Sequence, residues 1–314
     1  MKIGLNTDSV GPLSIDEMLD LAAELGIDTV EFPTGAWSPA PHVDLDRLLE
    51  SDAARRELLA RVEDRGLAIS ALTCNGNQLD PVSGRAHDAV TRKTIALAPL
   101  LGVDRIVLMS GCPGGPGDRW ANWITVAWPP ETAEVLRYQW DEVVIPYWRD
   151  LASYAGDQGV DKLCIEMHGQ QVVYNVPTLL RLREAVGPQV GANYDPSHLM
   201  WMGADPIAAI EALGDAIFHV HAKDTRLETD RLALASRIET TPNDRPQDRS
   251  WNYVTLGRGH DEAFWADFCR ALRRVGYDDV LSIEHEDTSM TPEAGVRESV
   301  ELLRRTLTAD PVHA

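Results

Sequence analysis

The stretch AIFHVHAKDT, residues 216–225, sets His219 and His221 one residue apart in an apolar run and follows them with Lys223 and Asp224. Three more segments end an apolar run in groups that could do chemistry. LCIEMHGQ carries Glu166 and His168, VGANYDPSHL carries Asn193, Asp195 and His198, and LSIEHED carries Glu284. Along a strand, residues two apart share a face. Glu166 is therefore expected to face with His168, Asn193 with Asp195, and His219 with His221, whereas Ile165, Met167, Phe218 and Val220 face the other way. Three carboxylates gathered around one imidazole repel one another and lose hydration unless a cation compensates. A divalent metal does so. Oxygen-rich ligation with one nitrogen suits Mn²⁺, with Mg²⁺ or Co²⁺ as alternatives, and four protein ligands leave positions for substrate oxygens. The expected ligands are Glu166, Asp195, His221 and Glu284. His219 is expected behind them, packing or hydrogen-bonding in the interior, with an exchange of roles between the two histidines as the alternative.

Other polar groups fall beside this set. A neutral histidine near a metal-bound hydroxy-ketone is suited to removing a carbon-bound proton, and His168 is the first candidate for that base; the alternative is that it only orients Glu166 or the substrate. His198 is expected to contact a substrate hydroxyl. Lys223 either stabilises developing negative charge or pairs with Asp224. His260, in GRGHD, and Asn75 and Asn77, in TCNGNQ, are expected as further substrate contacts. His42, His87, His285 and His313 are assigned to the surface or to structural roles.

The elements that must position these groups follow from periodicity. Short β-rich runs at 2–6, 28–32, 68–73, 105–109, 162–166, 189–194, 216–221 and 279–284 alternate with segments of helical period, the pattern of parallel strands joined by crossover helices. SIDEMLDLAAELG, with Ser14 and Glu17 three apart, has a helix-capping signature. Eight such units in 314 residues predict a single-domain (β/α)8 TIM barrel with its site at the C-terminal ends of the strands. The alternative, a doubly wound sheet, would want a glycine-rich phosphate turn after the first strand, and GLNTDSVGPLS has no GxGxxG. Two long loops, after strands four and seven, would overhang the catalytic face. The first carries Trp120, Trp123 and Trp128 and is read as a lid, a sugar or aromatic platform, or a subunit contact.

Composition narrows the partners. The formal charge of -20 opposes a nucleic-acid backbone. Cys74, Cys112, Cys164 and Cys269 form no CxxC pair, no apolar run reaches a membrane span, and the N-terminus lacks a secretory pattern. These features lead to the expectation of a cytoplasmic protein that contacts neither nucleic acid nor membrane.

With EMH, NYDPSH, HVHAKD and SIEHED in this order, the chain resembles the xylose isomerase-like TIM barrels, often labelled sugar phosphate isomerase/epimerase. The resemblance covers nearly the whole chain and places that family's metal ligands on Glu166, Asp195, His221 and Glu284. The segments GCPGGPGDRWANWITVAWPPE, WDEVVIPYW and RSWNY, with LGRGHD, also resemble the large (α) subunit of C-glycoside deglycosidases. That resemblance implies a Mn²⁺-dependent lyase acting on a 3-keto C-glycoside, with His168 as the base that removes the C2 proton before the aglycone leaves C1. It also implies a small β-rich partner subunit and a hetero-oligomer, with the tryptophan loop as the contact. The competing expectation is a keto-sugar isomerase or epimerase working through the same enediolate. An endonuclease-like barrel would want more histidine ligands and a basic surface, and a non-catalytic scaffold would have no reason to keep all four ligands.

Overall fold

The computed structural model describes residues 1–308 and shows a closed barrel of eight parallel strands ringed by helices. His313 lies outside the described residues. The barrel strands are β1 (Lys2–Asn6), β2 (Thr29–Pro33), β3 (Ala68–Thr73), β4 (Arg105–Met109), β5 (Lys162–Glu166), β6 (Val190–Tyr194), β7 (Ile217–Ala222) and, after a two-stranded ribbon of β8 (Asp224–Leu227) and β9 (Trp251–Val254), β10 (Val280–Ile283). β1 closes against β10, and the spatial order is that of a (β/α)8 barrel. Four of the expected strands shift by about a residue at their ends, as boundaries set by hydrogen bonding commonly do. Ser14 forms the expected capping box with Glu17, opening the first crossover helix, Ile15–Glu24. No helix among the described residues is long and apolar enough to cross a membrane.

Two bulges break the ladder beside the polar interior. Between β2 and β3 the register slips next to Glu31, and between β6 and β7 it slips next to Asn193. In the second, Ala192 pairs with Ile217 and Asn193 with His219, so Phe218 is the extra residue. This corrects the expectation that Phe218 faces the helices with Val220. The bulge turns its ring onto Ala71, Val107 and Cys164, a small apolar cluster separate from the main core. A bulge re-aims side chains in this way, and here it leaves both His219 and His221 directed at Glu31.

The loop after β7 is more ordered than its composition suggested. The β8–β9 ribbon is antiparallel, with Asp224 opposite Val254 and Leu227 opposite Trp251. The carboxylate of Asp224 fixes it to the following turn. It accepts from the backbone N–H groups of Gly257, Gly259 and His260, from the His260 ring at 2.8 Å, and from its own neighbour Thr225. The tryptophan loop is largely irregular and leads into the helix Glu131–Tyr138, a π-helical turn Gln139–Val144, and the helix Ile145–Gln158.

Gly191, in β6, marks how tightly the Phe218 bulge is packed. A Cβ there would lie 2.6 Å from the backbone carbonyl of Ala216 and nearer still to the Phe218 ring. Gly191→Ala is expected to lower unfolding stability by about 1–3 kcal/mol through overpacking, measured by urea denaturation. Wild-type stability would show that the bulge has slack.

Candidate metal centre and reaction pocket

The site is built around a buried carboxylate that the sequence reading passed over. Glu31, on β2, is fully buried and accepts from His219 Nε2 at 2.9 Å, His221 Nε2 at 3.0 Å and Ser282 Oγ at 2.7 Å. It also accepts from Thr73 Oγ1 and, at 3.5 Å, from Asn6 Nδ2. Burial pushes its carboxyl up, but His221 and His219 outweigh that and hold it well below the usual range. Because Glu31 takes Nε2–H of His221, Nδ1 of that ring is turned the other way. There it stands 3.3 Å from Glu166 Oε2 and 3.2 Å from Glu284 Oε2. The signal for Glu31 was present as a lone acid in the apolar strand TVEFP, with no neighbouring histidine in sequence to draw notice.

Glu166, Asp195, His221 and Glu284 each present one donor atom, and those atoms all lie within 4.8 Å of one another. The four arrive from the ends of β5, β6, β7 and β10, as strand alternation places them. Glu31, His219 and His221 form a second such group, but the oxygens of Glu31 are saturated by protein donors. The four-residue set differs. Asp195 Oδ2 is buried and has no hydrogen-bond partner; His198 Nε2 lies 3.1 Å from it, out of alignment. A buried carboxylate oxygen without a donor, inside a cluster of carboxylates and one imidazole, fits a hard divalent cation.

Two protein cations offset these carboxylates. His198 Nε2 contacts Glu166 Oε1 at 3.1 Å, while its Nδ1 meets the Tyr253 hydroxyl at 2.9 Å. Burial lowers the pKa of this imidazole, yet Asp195 and Glu166 bring it up to about 9. Lys223 Nζ donates to Glu284 at 3.1 Å and Glu286 at 2.8 Å and sits over the Tyr253 ring at 4.2 Å. Its ammonium is held well above the ordinary value, those carboxylates outweighing burial. Asn193 and Asn75 donate to Glu166 Oε2 at 2.9 and 3.3 Å.

A cavity of ≈ 320 Å³ opens on the set, with Glu166, Glu284, His168, Lys223, Asn75 and Trp37 among its walls. His168 follows β5. Its Nδ1 donates to the carbonyl of Gly169, which leaves Nε2 as the basic nitrogen. Burial, then the neighbouring His198, depress it to about 4, so it is neutral at working pH.

Three residues expected as substrate contacts have protein partners in this structure. Asn77 is buried between loops, its amide spanning the backbone of Cys112 and Leu79. The ring of His260 is held by Asp224 as an anchor of the ribbon turn. His198 has both nitrogens turned to protein groups, because Tyr253 on the ribbon closes over it. Lys223 pairs with Glu284 and Glu286, and Asp224 is occupied elsewhere. Asn75 remains on the cavity wall, with its Oδ1 buried and unpartnered. Of the histidines assigned to structure, His42 Nε2 bonds Leu13 O and His87 Nδ1 accepts from Asn77 N.

A barrel of this topology with this set of strand-end groups defines the class. The chain belongs to the xylose isomerase-like TIM barrel family, whose profile matches residues 19–306. It is 50% identical over 311 residues to the uncharacterized protein YfiH of Bacillus subtilis (strain 168), covering 98% of this chain and 99% of that one. Similar solved structures include L-ribulose 3-epimerase, with 20% identity, TM-score 0.63 and 98% of each chain covered. They also include the IOLI protein with a bound zinc atom, with 19% identity, TM-score 0.66 and coverage of 98% and 96%. The probable 3-DHS dehydratase AsbF from Bacillus anthracis is similar as well, at 18% identity, TM-score 0.66 and coverage of 99% and 100%. These structural likenesses establish the fold.

Two measurements follow from the charge balance. Burial lowers the pKa of His221, but Glu31 and Glu284 raise it well above the ordinary value. In protein stripped of divalent ions, His221 and His198 are therefore protonated, and an ion must displace a proton from Nδ1 of His221. Mn²⁺ affinity should rise with pH from about 6 to about 8, with proton release seen by calorimetry in buffers of different ionisation enthalpy. Glu31→Gln should weaken Mn²⁺ about 10–100-fold while binding remains one ion per chain, read by metal titration. Unchanged affinity would remove Glu31 from the site's support.

Proposed function

We propose that this chain is a divalent-metal lyase that releases an aglycone from an oxidised glycoside, a 3-keto C-glycoside in the first instance. The observation that carries the reading is His168: a neutral imidazole whose Nδ1 is spent on Gly169 and whose Nε2 is the free base beside the four-ligand set. An ion held by Glu166, Asp195, His221 and Glu284, with Mn²⁺ the best match to the donors, supplies Lewis acidity to the ketone and adjacent hydroxyl of the sugar. His168 Nε2 takes the proton from C2, and the electron pair delocalises onto the C3 ketone. The pair then forms the C1–C2 double bond as the bond from C1 to the aglycone breaks. The aglycone leaves with that bonding pair and takes up one proton, and the ketone is restored.

An epimerase would use the same proton abstraction but must return a proton to the opposite face. Lys223 lines the cavity but is tied to Glu284 and Glu286. This favours loss of the group at C1 over reprotonation. The reading includes a small β-rich partner subunit at the tryptophan loop, where Trp120 and Trp128 stand 72% and 74% exposed. Exposed apolar side chains of that size suit an interface.

The test is mass spectrometry of a 3-keto aryl C-glucoside incubated in D₂O with Mn²⁺-loaded protein, against enzyme-free and metal-stripped controls. Free aglycone is the expected product. Deuterium at C2 or a rearranged sugar without release would move the assignment to an isomerase or epimerase. His168→Ala should retain the metal and lose at least about 10²-fold in turnover, whereas Glu166→Ala and Glu284→Ala should lose the metal itself. Full activity in metal-loaded His168→Ala would exclude this base.

A further inference from the structure

The reaction pocket has an acidic mouth with no free cation. Its walls include Asp8, Glu166, Glu284 and Glu286, and the one cationic side chain among its described lining residues is Lys223. That ammonium is committed to Glu284, Glu286 and the face of Tyr253. Asp8 is held by Ser38, which donates to Oδ1 at 2.9 Å. Burial, then Glu284, Glu31 and Glu286, push the Asp8 carboxyl above its ordinary value despite Ser38, and the carboxylates of Glu284 and Glu286 on the same wall make the field at the mouth negative. The adjoining cavity shares Asp8 and Glu286 and includes Arg249. Arg249 is also spent: it donates to the carbonyls of Trp251 and Thr241 and to Asn243, and stacks over the Trp251 ring.

Two features on the same wall match a neutral polyol. Trp37 is 53% exposed, a large apolar face left in water where the CH groups of a sugar ring could cover it. Asn75 Oδ1 is buried without a partner and can accept from a hydroxyl. Even with a divalent ion against Glu166, Asp195 and Glu284, those three carboxylates with Asp8 and Glu286 outweigh the ion, Lys223 and the His198 imidazolium together. A phosphate dianion entering this mouth would meet repulsion that no side chain relieves.

We propose that the site selects uncharged polyol substrates and rejects their phosphate esters, with Asp8 and Glu286 as the residues that set this preference. The proposal rests on the sugar-binding part of the proposed function and is independent of whether an aglycone is expelled. In a family often labelled for sugar phosphates, it assigns this chain to unphosphorylated sugars.

The experiment reads binding without turnover. Mn²⁺-loaded His168→Ala protein is titrated by calorimetry with methyl 3-keto-β-D-glucopyranoside and with its 6-phosphate ester. The neutral ligand should bind about tenfold or more tightly than the ester, and added salt should narrow the gap by screening. The same titration in a background of Asp8→Asn with Glu286→Gln, which also removes one of the two carboxylates that hold Lys223, should bring the two affinities together. Equal or tighter binding of the ester to the unaltered mouth would overturn the proposal, as would failure of both ligands to bind or an unchanged ratio in the double variant. A protein that shows this preference but releases no aglycone would sink the lyase reading and leave the charge preference standing.

Discussion

Glu31 is the constraint on which the rest of the site depends. A carboxylate at the centre of a barrel is stable only if its lone pairs are met, because an isolated buried charge costs several kcal/mol or more. Here the donors come from four other strands: Asn6 on β1, Thr73 on β3, His219 and His221 on β7, and Ser282 on β10. In accepting them, Glu31 also decides which nitrogen of His221 faces the outer carboxylates. A polar interior normally weakens a core. In this fold it is confined to one end, while Phe218, Ala71, Val107 and Cys164 form a separate apolar cluster.

The bulges beside Glu31 and Asn193 make that arrangement possible. A strand with strict period-two alternation would turn His219 and His221 inward and Phe218 outward. One extra residue in β7 permits Phe218 and His219, neighbours in sequence, both to reach the interior. It also sets His219 opposite Asn193, whose amide bridges Glu166 and His221. Backbone irregularity is concentrated where several polar side chains must be aimed at one point, and the apolar stretches of the same strands keep a regular register.

This explains what could be read from the chain alone. Eight strands and the convergence of Glu166, Asp195, His221 and Glu284 follow from alternation and from the rule that strand ends share one face, so both were legible. Phe218 was misplaced because a bulge leaves no mark in hydrophobic pattern. Glu31 was overlooked because its partners lie on β1, β3, β7 and β10, and nothing near it in sequence names them. The protein partners of Asn77 and His260 were not legible for a different reason. Both follow strand ends, as substrate contacts do, but loop backbone has its own unmet donors and acceptors, and these side chains are taken by Cys112, Leu79 and the Asp224 turn. Strand position is encoded locally, whereas loop side-chain direction is fixed by tertiary partners.

The ribbon after β7 connects this local geometry to reactivity. Tyr253, on β9, places its hydroxyl on His198 Nδ1 and its ring under Lys223. It thereby covers one cation, takes a ring nitrogen of the other, and keeps both from acting as free acids in the pocket. His168 packs edge-on against His198, ring centroids 4.1 Å apart, and the positive charge of His198 helps keep it neutral. Charge segregation of this kind leaves one imidazole able to accept a proton among groups whose protonation is fixed by their partners. Neither Lys223 nor His198 is then free to return that proton from the other side. In the proposed reading an intermediate formed there is relieved by breaking a bond at the neighbouring carbon, and the commitment of Lys223 and His198 to their partners is the physical argument for proposing an elimination on a fold that L-ribulose 3-epimerase shares.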